Sequence, residues 1–195
     1  MPIRRSTSSV RSRLPNTRAL ARQFTTFDNF YADAEVSANG WNWVSQANSN
    51  PWSEEMWPSN YSGRGAPYPA ENNDPESRAK EHDSYFWEHL SKNNISFRNY
   101  GFYTTLDKKG KAHGVDKKIL DPNTDHDFIG WSLDCPDSAR SFAPMAKNCG
   151  PKSRVDEWKS DFNKQLAKGS VPTVQLVRFG NDHTQATKVG VPTPQ

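Results

Sequence analysis

The sequence contains few aliphatic residues, two cysteines and no long apolar run. Hydrophobic residues make up only 33% of its 195 residues. No stretch is long enough to predict a transmembrane helix, and the pair Arg4 and Arg5 lacks the apolar segment that a signal peptide requires. Neither a Cys-x-x-Cys pair nor a Cys/His zinc spacing occurs. Cys135 and Cys149 are either a disulfide or two free thiols, and both alternatives stay open.

Aromatic residues, proline and glycine are plentiful instead. Trp, Tyr and Phe make up 12% of the chain, with 14 Pro and 11 Gly, which indicates a core packed on aromatic rings and many irregular connections. The length fits one domain, predicted over residues 15–195. Residues 1–14 form a basic, serine-rich tail that is predicted to be disordered. Its arginines lack a recognition fold, so nucleic acid is not the expected partner.

The stretch from Phe24 to Trp43 organises the predicted domain. Its first half is predicted to be a buried core strand, because aromatic side chains recur between turn residues. Those side chains are Phe24, Phe27, Phe30 and Tyr31. A turn from Ser37 to Gly40 follows, and then a short helix with Trp41, Val44 and Ala47 on one apolar face.

Ser37 is the first candidate functional residue. Several hydrolase folds hold a serine nucleophile between a strand end and a helix start, where the helix amides favour a phosphate group. A serine in this position is more commonly just the helix N-cap. The local pattern alone therefore favours capping.

The remaining periodicities predict an α/β protein. Helices are predicted over Glu76–Leu90 and over Arg154–Lys168, with Val155, Trp158, Phe162 and Leu166 facing inward in the second. Strands are predicted over Ile95–Phe102 and Val171–Phe179. A short helix over Arg18–Arg22, with Leu20 inward, and one helical turn over Ser53–Trp57 complete the helices. The lysine-rich stretch Leu106–Gly130 is predicted to be a solvated loop.

Two places in the sequence are candidates for metal ligands. Asp125, His126 and Asp127 are adjacent, and adjacent side chains rarely point at one ion, so no metal site is expected there. Asp182 and His183 follow the last predicted strand. Ligands of open α/β sheets bind beyond the carboxyl ends of the strands, so this pair is a better candidate for a functional site.

Four segments, in this order, resemble the phosphoesterase family of the alkaline phosphatase superfamily. They are FDNFYADAEVSANGWNW, MWPSNYSGRG, SFRNYGFY and VPTVQLVRFGNDHT, within a resemblance that spans Leu14 to Pro194. The resemblance implies a three-layer α/β/α sandwich with long irregular loops, here a partial one. It also implies metal-dependent hydrolysis of a phosphate ester by a hydroxyl nucleophile at a helix start.

The resemblance assigns roles to individual residues. Ser37 matches the nucleophile, Asn42 lies near the phosphate, and His183 matches a position lining the substrate or metal site. Asp182 is the predicted metal ligand. Arg64, between two glycines of an exposed loop, is predicted to bind substrate.

The sequence departs from the family pattern in two respects. Asn39 and Trp41 stand where the family has an acidic residue and a histidine. The acidic metal-ligand motifs of the family would fall before Leu14 and after Pro194, so the divalent ion is expected to take its main ligands from outside this chain. Two hypotheses follow: a metal-dependent phosphoesterase segment, or a catalytically inactive remnant that lacks the metal. Monoester, diester and phospholipid substrates stay open, as do the metal, the oligomeric state and the location in the cell.

Overall fold

The computed structural model describes residues 15–49, 51–60, 84–130, 135–137, 149 and 151–180. The predicted disordered tail, residues 1–14, lies outside the described residues. The chain divides into two compact units, one of residues 1–32 with 194–195 and the other of residues 33–193. None of the described helices has the length and the apolar character that crossing a bilayer requires.

The first unit contains a helix followed by an irregular aromatic segment. Helix α1 spans Pro15–Gln23, and the backbone amide of Phe24 donates to the carbonyl of Leu20. The prediction of a core strand after it is wrong: residues 24–32 form no strand, and Phe24 and Phe30 are 67% and 84% exposed. Leu20, expected inward, is also exposed. The aromatic rings of this segment recur every three residues with polar residues between them, which is not the alternation that buries one face of a strand.

The second unit contains two small sheets, so the prediction of mixed α/β structure is confirmed. Strands β1 (Phe97–Tyr100) and β4 (Val174–Val177) pair in parallel, with Phe97 opposite Val174. A parallel bridge joins Asn99 of β1 to Thr124. Strands β2 (Thr104–Leu106) and β3 (Ala112–Gly114) form an antiparallel hairpin. The two predicted strands, Ile95–Phe102 from its alternation and Val171–Phe179 from its β-branched residues, are thus present at their centres.

Helix α5 (Arg154–Ala167) precedes β4 and lies close to its predicted bounds. The Ser153 hydroxyl accepts a hydrogen bond from the backbone amide of Asp156 and so caps the helix start. Gly169, with φ at +64°, follows the helix end in the left-handed conformation that glycine adopts easily. Trp158 donates to the side chain of Gln175 on β4. Leu166, predicted to face inward, is 59% exposed.

Helix α4 (Phe86–Lys92) anchors the hydrophobic core. It falls partly within the predicted Glu76–Leu90 helix, of which residues 76–83 lie outside the described ranges. Its first turn is capped by Glu88, whose carboxylate accepts from the backbone amide of Tyr85 at 2.7 Å. The core that it helps to build consists mainly of large aromatic and aliphatic side chains. They are Tyr85, Trp87, Leu90, Phe97, Tyr103, Val115 and Leu120.

The lysine-rich stretch is folded rather than a solvated loop, and the prediction there is wrong. It contains β3, a 3₁₀-helix at Asp121–Asn123 and the buried side chains of Leu120 and Phe128. Its aspartates form turns: one Asp107 oxygen accepts from the backbone amides of Lys109 and Lys111. Polar composition therefore reflects turn-forming residues here rather than a lack of structure.

The remaining helices are α2 (Ser37–Gln46) and α3 (Pro51–Asn60). Helix α3 is longer than the single turn predicted over Ser53–Trp57. Pro51 occupies its first position, where the missing amide hydrogen is of no consequence, and Pro58 lies inside the helix.

A disulfide joins Cys135 to Cys149, which decides the alternative that the sequence left open. Both cysteines are buried and pack with Ile129 in a second, smaller cluster. The Arg154 guanidinium, buried at the start of α5, donates to the carbonyls of Ile129 and Cys135. Burial lowers the pKa of this guanidinium, while Asp137 at 2.7 Å opposes that shift.

Candidate functional site

Ser37 is the first residue of helix α2, so Ser37 does lie at a helix start. The prediction of a separate turn over Ser37–Gly40 is wrong, because these residues form the first turn of the helix. Val36 before it is extended and is the N-cap residue, and it makes no side-chain capping bond. The first hydrogen bonds of the helix run from the amides of Asn39 and Gly40 to the Val36 carbonyl, each 3.1 Å long. Ser37 is exposed and is not the N-cap itself. The amides of Ser37 and Ala38 precede the first hydrogen bonds of the helix, and a helix N-terminus of this kind favours an anion.

The buried face of α2 is polar, which contradicts the predicted apolar face. Asn39, Asn42 and Ser45 are buried, whereas Val44 is 69% exposed. The Asn39 amide donates to the Glu54 carboxylate of α3 at 2.7 Å and accepts from the Ser49 hydroxyl. Buried polar groups persist when they are hydrogen-bonded, and these bonds join α2 to α3.

Asn42 belongs to a buried network around Tyr103. The Tyr103 hydroxyl donates to the Asn42 side-chain oxygen at 3.2 Å and lies 2.9 Å from the Ser45 hydroxyl. Ser45 also donates to the Trp41 carbonyl, one turn earlier in α2. The network holds α2 against the aromatic core. The predicted contact of Asn42 with a phosphate group stays a prediction.

Trp41, where the family pattern has a histidine, is packed rather than open. Its ring meets the Phe102 ring edge-on, with centroids 5.0 Å apart. The Arg178 guanidinium lies 4.3 Å from the centre of the Trp41 ring, a distance typical of a cation–π contact. Trp41 therefore ties α2 to the segment that follows β4.

The predicted site residues fall into two sets. Ser37 and Asn42 lie on the same helix, five residues apart, one exposed and one buried. Arg64, Asp182 and His183 lie outside the described residues. The convergence of Ser37 and His183 on one pocket therefore remains a prediction.

The described residues contain two groups of side chains whose ligand atoms are close enough together to hold a metal ion. The first group consists of His113, Asp121 and His126. His113 Nδ1 and His126 Nε2 lie 3.3 Å and 3.6 Å from the same oxygen of Asp121. The two imidazole centroids are 4.4 Å apart. His113 Nε2 faces Asp107 at 3.5 Å. The hydrogen bond from the Lys111 backbone amide lowers the pKa of the Asp107 carboxyl group, and the Lys109 amide and His113 add to this shift, while desolvation opposes it.

The second group contains carboxylates only: Asp125, Asp127 and Glu157. Each of them lies beside a cation, since Lys111 pairs with Asp127, Lys152 with Glu157 at 3.0 Å, and Arg98 with Asp125 at 3.7 Å. Burial raises the pKa of the Asp125 carboxyl group. The charge of this group is thus already balanced by basic side chains.

The structure separates the three adjacent residues that looked like a metal cluster. Asp125 and Asp127 belong to the acidic group, whereas His126 joins His113 and Asp121. Asp125 and Asp127 share one group, so the expectation that no metal site lies at these three residues stays a prediction. The pairing of His113 with His126 has no local sequence signal, because it depends on the register of the β2–β3 hairpin and on the turn at Asp121.

Comparisons with known proteins do not identify the chain. No protein-family model matches it, and no curated protein or solved structure matches it either. The resemblance to phosphoesterases therefore remains a hypothesis that rests on four sequence segments and on the position of Ser37.

Proposed function

We propose that the chain is part of a phosphoester hydrolase in which the Ser37 hydroxyl is the nucleophile. The observation that carries the proposal is the position of Ser37, exposed at the first residue of α2. In the proposed reaction, Ser37 Oγ forms a bond to phosphorus while the bond to the alcohol oxygen breaks, and the hydroxyl proton of the serine ends on the leaving alcohol. Water then attacks phosphorus, the bond to Ser37 Oγ breaks, and inorganic phosphate leaves while a proton from water restores the serine hydroxyl. The amides of Ser37 and Ala38 precede the first hydrogen bonds of the helix and would face the phosphoryl oxygens.

The proposal includes the fold that the resemblance implies. In an alkaline-phosphatase-like three-layer α/β/α sandwich, β1, α5 and β4 would form one β-α-β unit of the central sheet. The parallel pairing of β1 with β4 and the helix between them in sequence are compatible with such a unit. Arg64 keeps its proposed role in binding the substrate, and His183 keeps its proposed place as a catalytic residue that lines the substrate or metal site.

The divalent metal ion belongs to the proposal as well, but the described residues do not fit one at Ser37. Helix α2 carries no histidine and no carboxylate, and neither group of close ligand atoms includes a residue of α2 or α3. The proposed ligand Asp182 would need partners from outside the described ranges. The chemistry assigned here therefore uses only the hydroxyl and the amides.

A second candidate function is a catalytically inactive remnant of such an enzyme. It is favoured by Asn39 and Trp41, which replace an acidic residue and a histidine of the family pattern. The Asn39 side chain is hydrogen-bonded to Glu54, and the Trp41 ring packs inside the protein. A protein that had lost its metal site would keep helix α2. The buried polar face of α2 would then only stabilise the fold.

Hydrolysis of para-nitrophenyl phosphate and of its diester tests the proposal. The intact chain is assayed with Mg²⁺, Mn²⁺ or Zn²⁺ and with a chelator. We expect metal-dependent turnover that Ser37→Ala reduces by about 100-fold or more, because the nucleophile is lost.

Ser91→Ala is the matched control, since Ser91 is an exposed serine on helix α4. It should turn over substrate like the unmodified chain. Turnover that survives Ser37→Ala would contradict the assignment of the nucleophile. Absence of turnover with every metal would favour the inactive remnant.

A further inference from the structure

The His113–Asp121–His126 group differs from an ordinary surface ion pair in its geometry. Both imidazoles approach one oxygen of Asp121, and the His126 distance of 3.6 Å is too long for a hydrogen bond. In a tetrahedral zinc site with bonds of 2.0–2.2 Å, neighbouring ligand atoms are about 3.3–3.6 Å apart. The separations of 3.3 Å and 3.6 Å match that spacing.

We propose that His113, Asp121 and His126 form a binding site for a divalent transition-metal ion, with Zn²⁺ as the best-fitting ion. Two imidazoles and one carboxylate are a ligand set that proteins use for zinc. The proposal is independent of phosphoester hydrolysis, because the site contains no residue of α2.

The charges around the group favour a cation. Asp107 and Asp121 bring two negative charges, and no lysine or arginine among the described residues forms an ion pair with either carboxylate. The acidic group of Asp125, Asp127 and Glu157 differs in this respect, since basic side chains already balance it. One divalent ion between the imidazoles would balance the two carboxylates.

The surroundings hold the three ligands in place. The backbone amide of Gly114 on β3 donates to the same Asp121 oxygen at 2.7 Å, and the Ala112 amide donates to the His126 carbonyl at 2.8 Å. A Cβ on Gly114 would lie 2.7 Å from the Asp121 backbone nitrogen, so only glycine permits this close approach. Metal-binding carboxylates are commonly fixed by such bonds.

Asp107 would act as a positioning residue for His113. A histidine that binds metal through one nitrogen usually presents the other to a carboxylate, which fixes the orientation of the ring. His113 Nε2 faces Asp107 while its Nδ1 faces Asp121. The His126 side chain is 45% exposed, so the fourth position would be open to water and an ion could enter from solvent.

Calorimetric titration of the intact, tag-free and metal-stripped chain with ZnCl₂ tests the site. We expect one Zn²⁺ site whose affinity falls by at least about tenfold in His113→Gln or in His126→Gln, and which is lost in the double variant. Asp107→Asn should weaken binding by about tenfold through the orientation of His113. MgCl₂ should not compete, because Mg²⁺ prefers oxygen ligands throughout.

Two matched variants serve as controls. His89→Gln removes an exposed imidazole from α4, and Asp127→Asn removes a carboxylate from the acidic group. Both should bind Zn²⁺ like the unmodified chain. Equal affinity and stoichiometry in the unmodified chain and in the His113→Gln/His126→Gln variant would overturn the proposal.

A second measurement requires no substitution and covers the case in which a variant does not fold. The imidazole resonances of the unmodified chain are followed by NMR while ZnCl₂ is added. Those of His113 and His126 should shift together and saturate together, and that of His89 should not. Shifts confined to other histidines would overturn the proposal.

Discussion

Two segments of similar aromatic content behave in opposite ways. FTTFDNFY, residues 24–31, and FRNYGFY, residues 97–103, each contain four aromatic residues. The rings of the first are 67% to 84% exposed, whereas Phe97, Tyr100 and Tyr103 in the second are at most 5% exposed. Aromatic density alone therefore does not decide burial.

The difference lies in what each segment contacts. The second segment pairs with β4 as a strand, and its Gly101 packs against Gly130: a Cβ on Gly101 would lie 2.5 Å from the Gly130 Cα atom. The Trp87 and Tyr103 rings then pack with centroids 5.2 Å apart. The first segment has neither a strand partner among the described residues nor an alternating pattern.

The largest effect is expected from a pair of matched substitutions, one in each segment. Phe97→Ala should lower the free energy of unfolding by about 3–5 kcal/mol, because it opens a cavity in the core. Phe30→Ala should change it by less than about 0.5 kcal/mol, because the ring is exposed. Urea denaturation of both variants measures the difference. Equal losses would show that the aromatic segment 24–31 is packed in solution and would remove the contrast.

Loss of the disulfide should have the next largest effect. Cys135 and Cys149 are buried beside Ile129. This small cluster contains no aromatic residue, and the disulfide bond stabilises it. The cross-link closes a loop across a sequence separation of 14 residues. Replacing both cysteines by serine should lower the free energy of unfolding by about 3 kcal/mol in the chain-entropy model. Urea denaturation with and without a reductant checks this, and an unchanged midpoint would contradict it.

A smaller effect is expected from one tyrosine in each of the compared segments, Tyr100 and Tyr31. The Tyr100 hydroxyl donates to Asp161 at 2.9 Å, and Asp161 also accepts from Arg98 and Gln165. Tyr100→Phe should lower the free energy of unfolding by about 1 kcal/mol through the lost hydrogen bond. Tyr31→Phe, at an exposed ring, should leave it within about 0.5 kcal/mol.

The same tyrosine predicts a dependence of stability on alkaline pH. Burial, and then the hydrogen bond to Asp161, raise the pKa of Tyr100 above its ordinary value. Above pH about 10 the unfolded chain releases this proton while the folded chain keeps it, so stability should fall as pH rises. Denaturation between neutral and alkaline pH should show this fall, and Tyr100→Phe should reduce it. A fall of equal size in Tyr100→Phe would contradict the assignment.

Much of the secondary structure was predictable because its signals are local. The Ser153 cap and the Gly169 end of α5 follow from capping and glycine, and the centres of β1 and β4 follow from short runs of strand-forming residues. The failures share a cause. The predictions of a core strand over residues 24–31 and of a solvated loop over residues 106–130 rest on composition. Composition does not show which groups a segment can form hydrogen bonds with. Asp107 and Asp116 accept hydrogen bonds from backbone amides two residues later and so form turns. These turns give a defined structure to a stretch whose lysines predict a solvated loop.

The candidate site was predictable only in part. Ser37 lies at a helix start, as its neighbours indicated, and stays a proposed nucleophile. The buried face of α2 was not predictable from its own sequence. Asn39 and Asn42 can be buried because they are hydrogen-bonded to Glu54 and Tyr103, which are distant in sequence. A periodicity of apolar residues cannot anticipate a buried face that is satisfied by hydrogen bonds.

Backbone preferences between near neighbours were enough to define the helices α2 and α5 and the strands β1 and β4. Only the tertiary structure shows which faces are buried. It also shows that Cys135 joins Cys149 and that His113 and His126 lie on either side of Asp121. Those pairings depend on strand register and on loops that close over many residues. Their free energy comes from partners far apart in sequence, and no local pattern carries that information.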